Sequence, residues 1–163
     1  MADIVKTYKE HHPALRFIGK KYTDEDRVDG LFGAKWGEWF ENKWFDIIEK
    51  LGAPGGLDKG HIGYMTHGED GKFQYWIGLF TPDETQIPEG FDFLDFEAGH
   101  IGVCHVYGIE PDVYCKECMC SDKLNADGYK IKPFGCFERY NYPRFCEPDD
   151  KGNIILDVCF FVE

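Results

Sequence analysis

The sequence predicts an α+β fold in which duplicated βαββ units form an antiparallel sheet with two helices on one face. Three observations predict it: the order strand, helix, strand, strand occurs twice, a proline-bounded polar segment separates the two occurrences, and a glycine-rich turn joins two apolar runs in the first. We expect one domain over 1–163, with units at about 13–81 and 91–163 and a linker at 82–90. The junction between the halves is the expected place for a ligand cleft.

The first unit begins with an expected strand at 13–22. A long helix is expected at about 31–51, because its apolar residues recur at the helical period and a glycine- and proline-rich stretch follows it. Strands are expected at 61–67 and 73–81. The residues before the first strand, including His11 and His12, are expected to be mobile and solvated.

The second unit repeats this order less clearly. An extended segment is expected at 91–107, with a hairpin-like or bulged break near Ala98 and Gly99. A weaker helix follows at about 110–124, opened by a proline near its first turn. The last two strands are expected at 135–142 and 154–162.

Composition and charge exclude two classes of partner. The chain has a net charge of -12 and short basic runs only, which argues against binding to a nucleic-acid backbone. No stretch reaches the roughly 20 apolar residues that span a bilayer, and the first residues lack the apolar core of a signal peptide. We therefore expect a cytoplasmic protein with no nucleic-acid and no membrane partner. Aromatic residues make up 17% of the chain, which indicates a core or a cleft rich in rings.

The seven cysteines and six histidines do not form a recognisable metal or redox motif. Cys115, Cys118 and Cys120 lie close together, but a second matched pair of zinc ligands is missing, so free thiols are the preferred interpretation. His100 and His105 are five residues apart and would point to opposite faces of a strand. No serine-protease-like triad or phosphate-binding glycine loop is present. We expect no metal and no cofactor.

The segment 137–140 holds the main candidate residues. In a strand, Glu138 and Tyr140 point to one face, and a carboxylate beside a phenol suits a ligand pocket better than an apolar core. Burial among rings would raise the pKa of this carboxyl group. The alternative is that Glu138 is one solvent-facing carboxylate among 30 acidic residues.

Other aromatic residues are weaker candidates for the walls of the cleft. Alternation puts Tyr75 and Trp76 on opposite faces of one strand, and the sequence does not say which face lines the cleft. Core packing is the alternative for every one of them. The full set of wall candidates is Trp36, Trp39, Tyr64, Tyr75, Trp76, Tyr107 and Phe160.

Four pieces of the sequence, in this order and spacing, resemble the GyrI-like small-molecule-binding family, also called the bacterial effector-binding domain. They are Trp36, 73–78 (Phe-Gln-Tyr-Trp-Ile-Gly), 98–103 (Ala-Gly-His-Ile-Gly-Val) and 137–140 (Phe-Glu-Arg-Tyr). The resemblance covers nearly the whole chain. It implies a duplicated βαββ fold and a cleft for aromatic, often cationic compounds, with Glu138 at the position of a buried glutamate that reads ligand charge. Because the first strand begins by Leu15, with no DNA-binding module before it, we expect a stand-alone member.

The resemblance leaves two functions open. One is capture of aromatic or hydrophobic compounds, including cationic and electrophilic ones, with hydrolytic detoxification of cyclopropane-type alkylators. In that case Glu138 would act as general base and Tyr140 would donate a hydrogen bond to a developing oxyanion. The alternative is a non-catalytic module that sequesters drugs or senses a ligand and acts through a protein partner. Fold alone does not choose between them.

Overall fold

The computed structural model describes residues 1–163 and contains one eight-stranded antiparallel sheet, three α-helices and a short 3-10 helix. The strands are β1 (Asp3–His12), β2 (Leu15–Tyr22), β3 (His61–His67), β4 (Phe73–Pro82), β5 (Asp92–Phe96), β6 (Gly99–Gly108), β7 (Ile131–Tyr140) and β8 (Ile154–Val162). The helices are α1 (Gly33–Glu41), α2 (Trp44–Glu49) and α3 (Glu117–Ala126), and the 3-10 helix is Asp24–Asp26.

The strand order β1-β6-β8-β7-β3-β4-β2-β5 shows the duplication directly. In each unit the first strand pairs with the last one, and the middle strands β3 and β7 pair with each other at the centre of the sheet. Reading outwards from this seam, β3, β4, β2 and β5 correspond to β7, β8, β6 and β1. The α+β fold with helices on one face, expected from sequence, is therefore confirmed.

The expectation that the first residues are mobile was wrong. They form β1, which pairs with β6 from Asp3 opposite Tyr107 to His12 opposite Gly99. His11 is exposed as expected, but His12 is only 2% exposed. The strand was missed because an edge strand has one neighbour and keeps many side chains in water, so its apolar alternation is weak.

The first helix is shorter than expected and broken in two. Lys43 adopts the left-handed conformation, with φ of 56°, and separates α1 from α2. The side-chain amide of Asn42 donates to the carbonyl oxygen of Glu38 at 2.8 Å, a local bond of the kind that competes with helix continuation. Within α1, Trp39 is buried and Phe40 is 58% exposed.

The second helix begins seven residues later than expected. Residues 110–116 form turns, and Cys115 has a left-handed φ of 58°. β7 begins at Ile131, four residues before the expected start, and it ends at Tyr140, two residues before the expected end. β3 and β8 have the expected bounds. The expected break near Ala98 is the short connection between β5 and β6.

The two faces of the sheet are covered differently. The helices pack on one face: α1 and α2 over the first unit and α3 over the second. The other face packs on itself through rings that include Phe17, Tyr64, Phe137 and Phe161. The sheet is curled, so that its two edges approach each other. β1 is one edge strand and β2 lies next to the other edge strand, yet only two residues connect β1 to β2. None of the helices combines the length and the apolar character that a membrane span requires.

Candidate functional site

A cavity of about 1170 Å³ lies on the helix-bearing face, over the seam where β3 and β7 pair. Its walls come from α1, the segment 52–60, the segment 110–117 and the residues that follow β7. Most of the lining residues are hydrophobic. The cleft between the halves, which the sequence predicted, is therefore present in the structure.

Glu138 lies in this cavity and is 8% exposed. Burial is the main cause that raises the pKa of its carboxyl group to about 7, and repulsion from Glu117 adds to the shift. The Tyr140 hydroxyl donates a hydrogen bond to Glu138 Oε2 at 3.3 Å, which opposes the shift. Glu138 takes part in none of the ion pairs of the chain. Its charge is therefore available to a ligand.

Four rings pack against one another beside this carboxyl group. Trp36 Nε1 donates to Tyr75 Oη at 2.9 Å, and the Trp36 ring meets the Tyr140 ring edge-on, with centroids 4.9 Å apart. Phe32 stacks on Tyr75 at 4.2 Å, with an interplanar angle of 3°. These contacts hold the rings in place before any ligand arrives, which lowers the entropy cost of binding.

Gly63 allows the rings to approach the strand next to Glu138. It pairs with Glu138 across the seam. A Cβ atom at this position would overlap Tyr75 Oη and lie 3.2 Å from Trp36 Cζ2. Sequence reasoning missed Gly63, although a glycine inside an apolar strand is a signal of close approach.

Other lining residues were also missed. The turns at 110–116 bring Tyr114 into the cavity, where its hydroxyl donates to Glu110, and Phe145 meets Tyr140 edge-on at 4.7 Å. At the entrance stand exposed apolar side chains, among them Leu31, Phe40 and Tyr142. The sequence carried no signal for Tyr114. A helix was expected there, and in a helix the Tyr114 side chain would point in a different direction from the one it has in the observed turns.

Two of the predicted wall residues lie on the other face of the sheet. Tyr64 pairs with Phe137 across the seam, and Trp76 is the partner of Tyr64 on β4, so all three point away from the cavity. The reason is the alternation of the strand: Glu138 and Tyr75 point to the helix-bearing face, so their neighbours in sequence must point to the opposite one.

Three further predicted wall residues lie outside the cavity. Trp39 is fully buried between α1 and the sheet, where its Nε1 donates to Tyr22 Oη at 3.0 Å. Phe160 packs in the core under α3. Tyr107 lies near the end of β6, and its hydroxyl donates to Asp149. The structure therefore brings together four of the nine predicted site residues: Glu138, Tyr140, Trp36 and Tyr75.

The cavity has more carboxylates than basic groups. The acidic residues are Glu49, Asp58, Glu110, Glu117 and Glu138, and the basic ones are Arg27, Lys59 and His61. This excess of negative charge favours a cationic ligand. No group of three or more histidine, cysteine, aspartate or glutamate side chains is arranged to hold a metal ion, and all seven cysteines are free thiols.

Comparison with solved structures confirms the sequence resemblance at the level of the fold. No protein-family model and no curated protein sequence matches the chain. Several solved structures do. SAV2435 bound to tetraphenylphosphonium has a TM-score of 0.68 at 16% identity, covering 98% of this chain and 94% of that one.

Two further solved structures have the same fold. A putative bacterial transcription regulation protein from Staphylococcus aureus MU50 has a TM-score of 0.65 at 16% identity and covers 98% of this chain and 99% of that one. The C-terminal domain of EcmrR has a TM-score of 0.54 at 11% identity and covers 97% of each chain. At these identities the likeness shows the fold alone.

Proposed function

We propose that this protein binds hydrophobic aromatic cations in the cavity over the β3–β7 seam, with Glu138 as the counter-charge. The observation that carries the proposal is a buried carboxyl group without an ion-pair partner, set against preformed rings. Burial removes the water that would stabilise the ionised carboxylate, and a cation bound between the rings and Glu138 stabilises this ionised form instead. The structure of SAV2435 with tetraphenylphosphonium, a cation of this class, supports the choice of ligand chemistry.

The rings supply the remaining binding energy. Trp36, Tyr75 and Tyr140 present faces or edges to the cavity, and each cation–π contact contributes about 0.5–2 kcal/mol. The cavity volume of about 1170 Å³ is large enough for a drug-sized ligand. We propose these three residues and Glu138 as the binding residues. The free thiols fit a reducing compartment, and we propose that the protein acts in the cytoplasm.

The experiment compares a cation with a neutral molecule of similar shape. Tetraphenylphosphonium and triphenylphosphine oxide are titrated into the wild type and the Glu138→Gln variant at pH 8 by calorimetry. We expect the variant to bind the cation about tenfold to a thousandfold more weakly, since about 1.4–4 kcal/mol of attraction is lost. Binding of the neutral compound should change little.

A rim variant provides the matched control. Glu49 also lines the cavity, but its side chain is 56% exposed. Solvent screens its charge, so Glu49→Gln should weaken binding of the cation less than about threefold. Equal affinity of the wild type and Glu138→Gln for the cation would overturn the proposal.

Hydrolysis of a strained electrophile is the second candidate function, and one observation favours it. A carboxyl group with a pKa of about 7 is a stronger base than an ordinary carboxylate, and a general base of this kind contributes about 10²–10⁴-fold to a rate. The Tyr140 hydroxyl group donates a hydrogen bond to Glu138. In a hydrolase, Tyr140 would therefore hold the general base Glu138 in position.

The test separates turnover from capture. The protein is incubated with an excess of a cyclopropane-bearing alkylator, and the ring-opened product is measured by mass spectrometry. Several equivalents of product per protein, lost in Glu138→Gln, would favour the hydrolase. Capture of one equivalent without turnover would favour a binding module that sequesters a drug or acts through a protein partner.

A further inference from the structure

A second cavity, of about 770 Å³, lies on the opposite face of the sheet from the first. It opens where the curled sheet nearly closes, between β5, the start of β6 and the start of β7. Tyr64 and Trp76, the two candidates that point away from the first cavity, line this one together with Phe96 and Phe161. Nothing in the function proposed above uses it.

The rings of this cavity are held in fixed positions. Phe96 and Phe161 are stacked, with centroids 4.6 Å apart and an interplanar angle of 14°. Tyr64 meets Phe96 edge-on at 5.9 Å, and Trp76 Nε1 donates to Gln74 Oε1 at 3.2 Å. Such a preformed ring surface suits a flat apolar ligand, because offset and edge-on contacts between rings are favourable.

His12 offers one hydrogen-bond acceptor at this cavity. Its Nδ1 lies 2.8 Å from the carbonyl oxygen of Pro13. A carbonyl oxygen can only accept, so Nδ1 carries the proton. Burial lowers the pKa of the ring, which keeps it neutral at physiological pH. His12 Nε2 is therefore an acceptor on a cavity-lining residue.

Gly99 leaves room beside this acceptor. A Cβ atom built at Gly99, which lies opposite His12 in the sheet, would be 3.5 Å from His12 Nε2 and 3.9 Å from Lys132 Nζ. Lys132 takes part in none of the ion pairs of the chain. The space beside Gly99 thus lies close to a neutral acceptor, His12 Nε2, and to an ammonium donor outside any ion pair, Lys132 Nζ. A hydroxyl group needs both, since it donates one hydrogen bond and accepts another.

The charges at the mouth decide between a neutral and an anionic ligand. Glu69, Asp92 and Glu97 are exposed there, as is Lys21, while Asp95 pairs with Arg16. The three unpaired carboxylates outnumber Lys21 at the mouth, so they repel an anion such as an aromatic carboxylate. An uncharged ligand with one hydroxyl group avoids this repulsion and satisfies both polar atoms beside Gly99.

We propose that this second cavity binds uncharged planar hydroxyarenes, with the ring against Phe161 and Tyr64 and the hydroxyl group between His12 and Lys132. The O–H group donates to His12 Nε2, and its oxygen accepts from Lys132 Nζ. The site is on the other face of the sheet from Glu138, so the two ligands bind independently.

The test uses 2-naphthol and, as a matched probe without the donor, 2-methoxynaphthalene. Binding is followed by NMR through the indole N–H resonance of Trp76, in the presence and absence of tetraphenylphosphonium. We expect saturable binding of 2-naphthol that shifts the Trp76 resonance and is unaffected by the cation. The methoxy compound should bind about tenfold more weakly, because it loses the hydrogen bond to His12.

Three variants make the test specific. Lys132→Met keeps an unbranched side chain at a partly exposed position, and it should weaken both compounds about tenfold, because the oxygen of each one accepts from Lys132 Nζ. His12→Phe should weaken 2-naphthol about tenfold and leave the methoxy compound nearly unchanged, with its folding checked by circular dichroism. Ala98→Trp, at an exposed position of the mouth, should block both compounds.

The outcomes separate this proposal from the proposed function. Equal affinity for the two naphthalene compounds, no saturation, or displacement of 2-naphthol by tetraphenylphosphonium would each overturn it. Loss of cation binding in Glu138→Gln with unchanged binding of 2-naphthol would support both sites. Failure of the cation to bind at all would leave the test of the second cavity valid, because its readout is Trp76.

Discussion

Replacing Glu138 by glutamine should make the ligand-free protein more stable while it weakens cation binding. The pKa of this carboxyl group is raised from 4.5 to about 7 in the folded protein. Below pH 4.5 the group is protonated in the folded and the unfolded chain alike, so burial of its charge costs nothing. Between pH 4.5 and 7 the unfolded chain releases this proton and the folded one retains it, which destabilises the fold by about 1.4 kcal/mol per pH unit.

Above pH 7 the full penalty applies. A shift from 4.5 to about 7 corresponds to a penalty on the order of 3 kcal/mol, which glutamine removes because it carries no charge at any pH. The amide oxygen of glutamine still accepts the hydrogen bond from Tyr140. For a domain of this size, 1 kcal/mol corresponds to about 2–4 °C, so the melting temperature at pH 8 should rise by about 6–12 °C.

The assay is thermal and urea unfolding of the wild type and of Glu138→Gln between pH 4.5 and 8.5, without ligand. The difference in the free energy of unfolding should be near zero at pH 4.5, grow up to pH 7 and then stay constant. Glu89→Gln is the control, since Glu89 is exposed and lines neither cavity, and it should change stability by less than about 0.5 kcal/mol. A pH-independent difference, or a variant less stable than the wild type at pH 8, would refute the reasoning.

Three further substitutions test the surroundings of the site. Gly63→Ala should destabilise the protein by about 1–3 kcal/mol in urea unfolding and weaken tetraphenylphosphonium binding, because the new Cβ displaces Tyr75; unchanged stability would show that the strand yields freely. Trp36→Phe should weaken the same cation about threefold to tenfold in calorimetry, since the indole face and the bond to Tyr75 are lost, and an unchanged affinity would remove Trp36 from the site. Asp157→Ala should cost about 3–5 kcal/mol in unfolding, because it removes a fully buried carboxylate that Arg139 Nε and Arg144 Nε both bind at 2.8 Å and leaves Arg139 hydrogen-bonded to Glu10 alone; a cost below 1 kcal/mol would contradict this.

The parts of the fold that strong local patterns encode could be predicted from the sequence. β3 and β8 have the predicted bounds, because apolar runs with clear turn residues mark them. β1 could not be found, since its pairing with β6 is a long-range contact that leaves little trace in a polar edge strand. The break at Lys43 contains no glycine or proline, so the periodicity alone predicted one long helix.

The candidate site was predictable where it lies on one strand. Alternation placed Glu138 and Tyr140 together, and both line the first cavity. The walls depend on which face of β4 meets the helices, which the sequence did not decide, so Trp76 was grouped with Tyr75 and lies at the second cavity instead. The role of Gly63 could not be predicted, because it depends on side chains from other elements that lie next to it only in the folded protein.

Proton release on cation binding tests the role of Glu138 most directly. Tetraphenylphosphonium is titrated into the wild type at pH 6 and at pH 8.5, in pairs of buffers with different ionisation enthalpies. With a pKa of about 7 in the free protein, Glu138 is mostly protonated at pH 6, so binding should release about 0.9 proton there and nearly none at pH 8.5. Release should vanish in Glu138→Gln. The same heat in every buffer at pH 6, with the cation bound, would show that Glu138 is not the counter-charge.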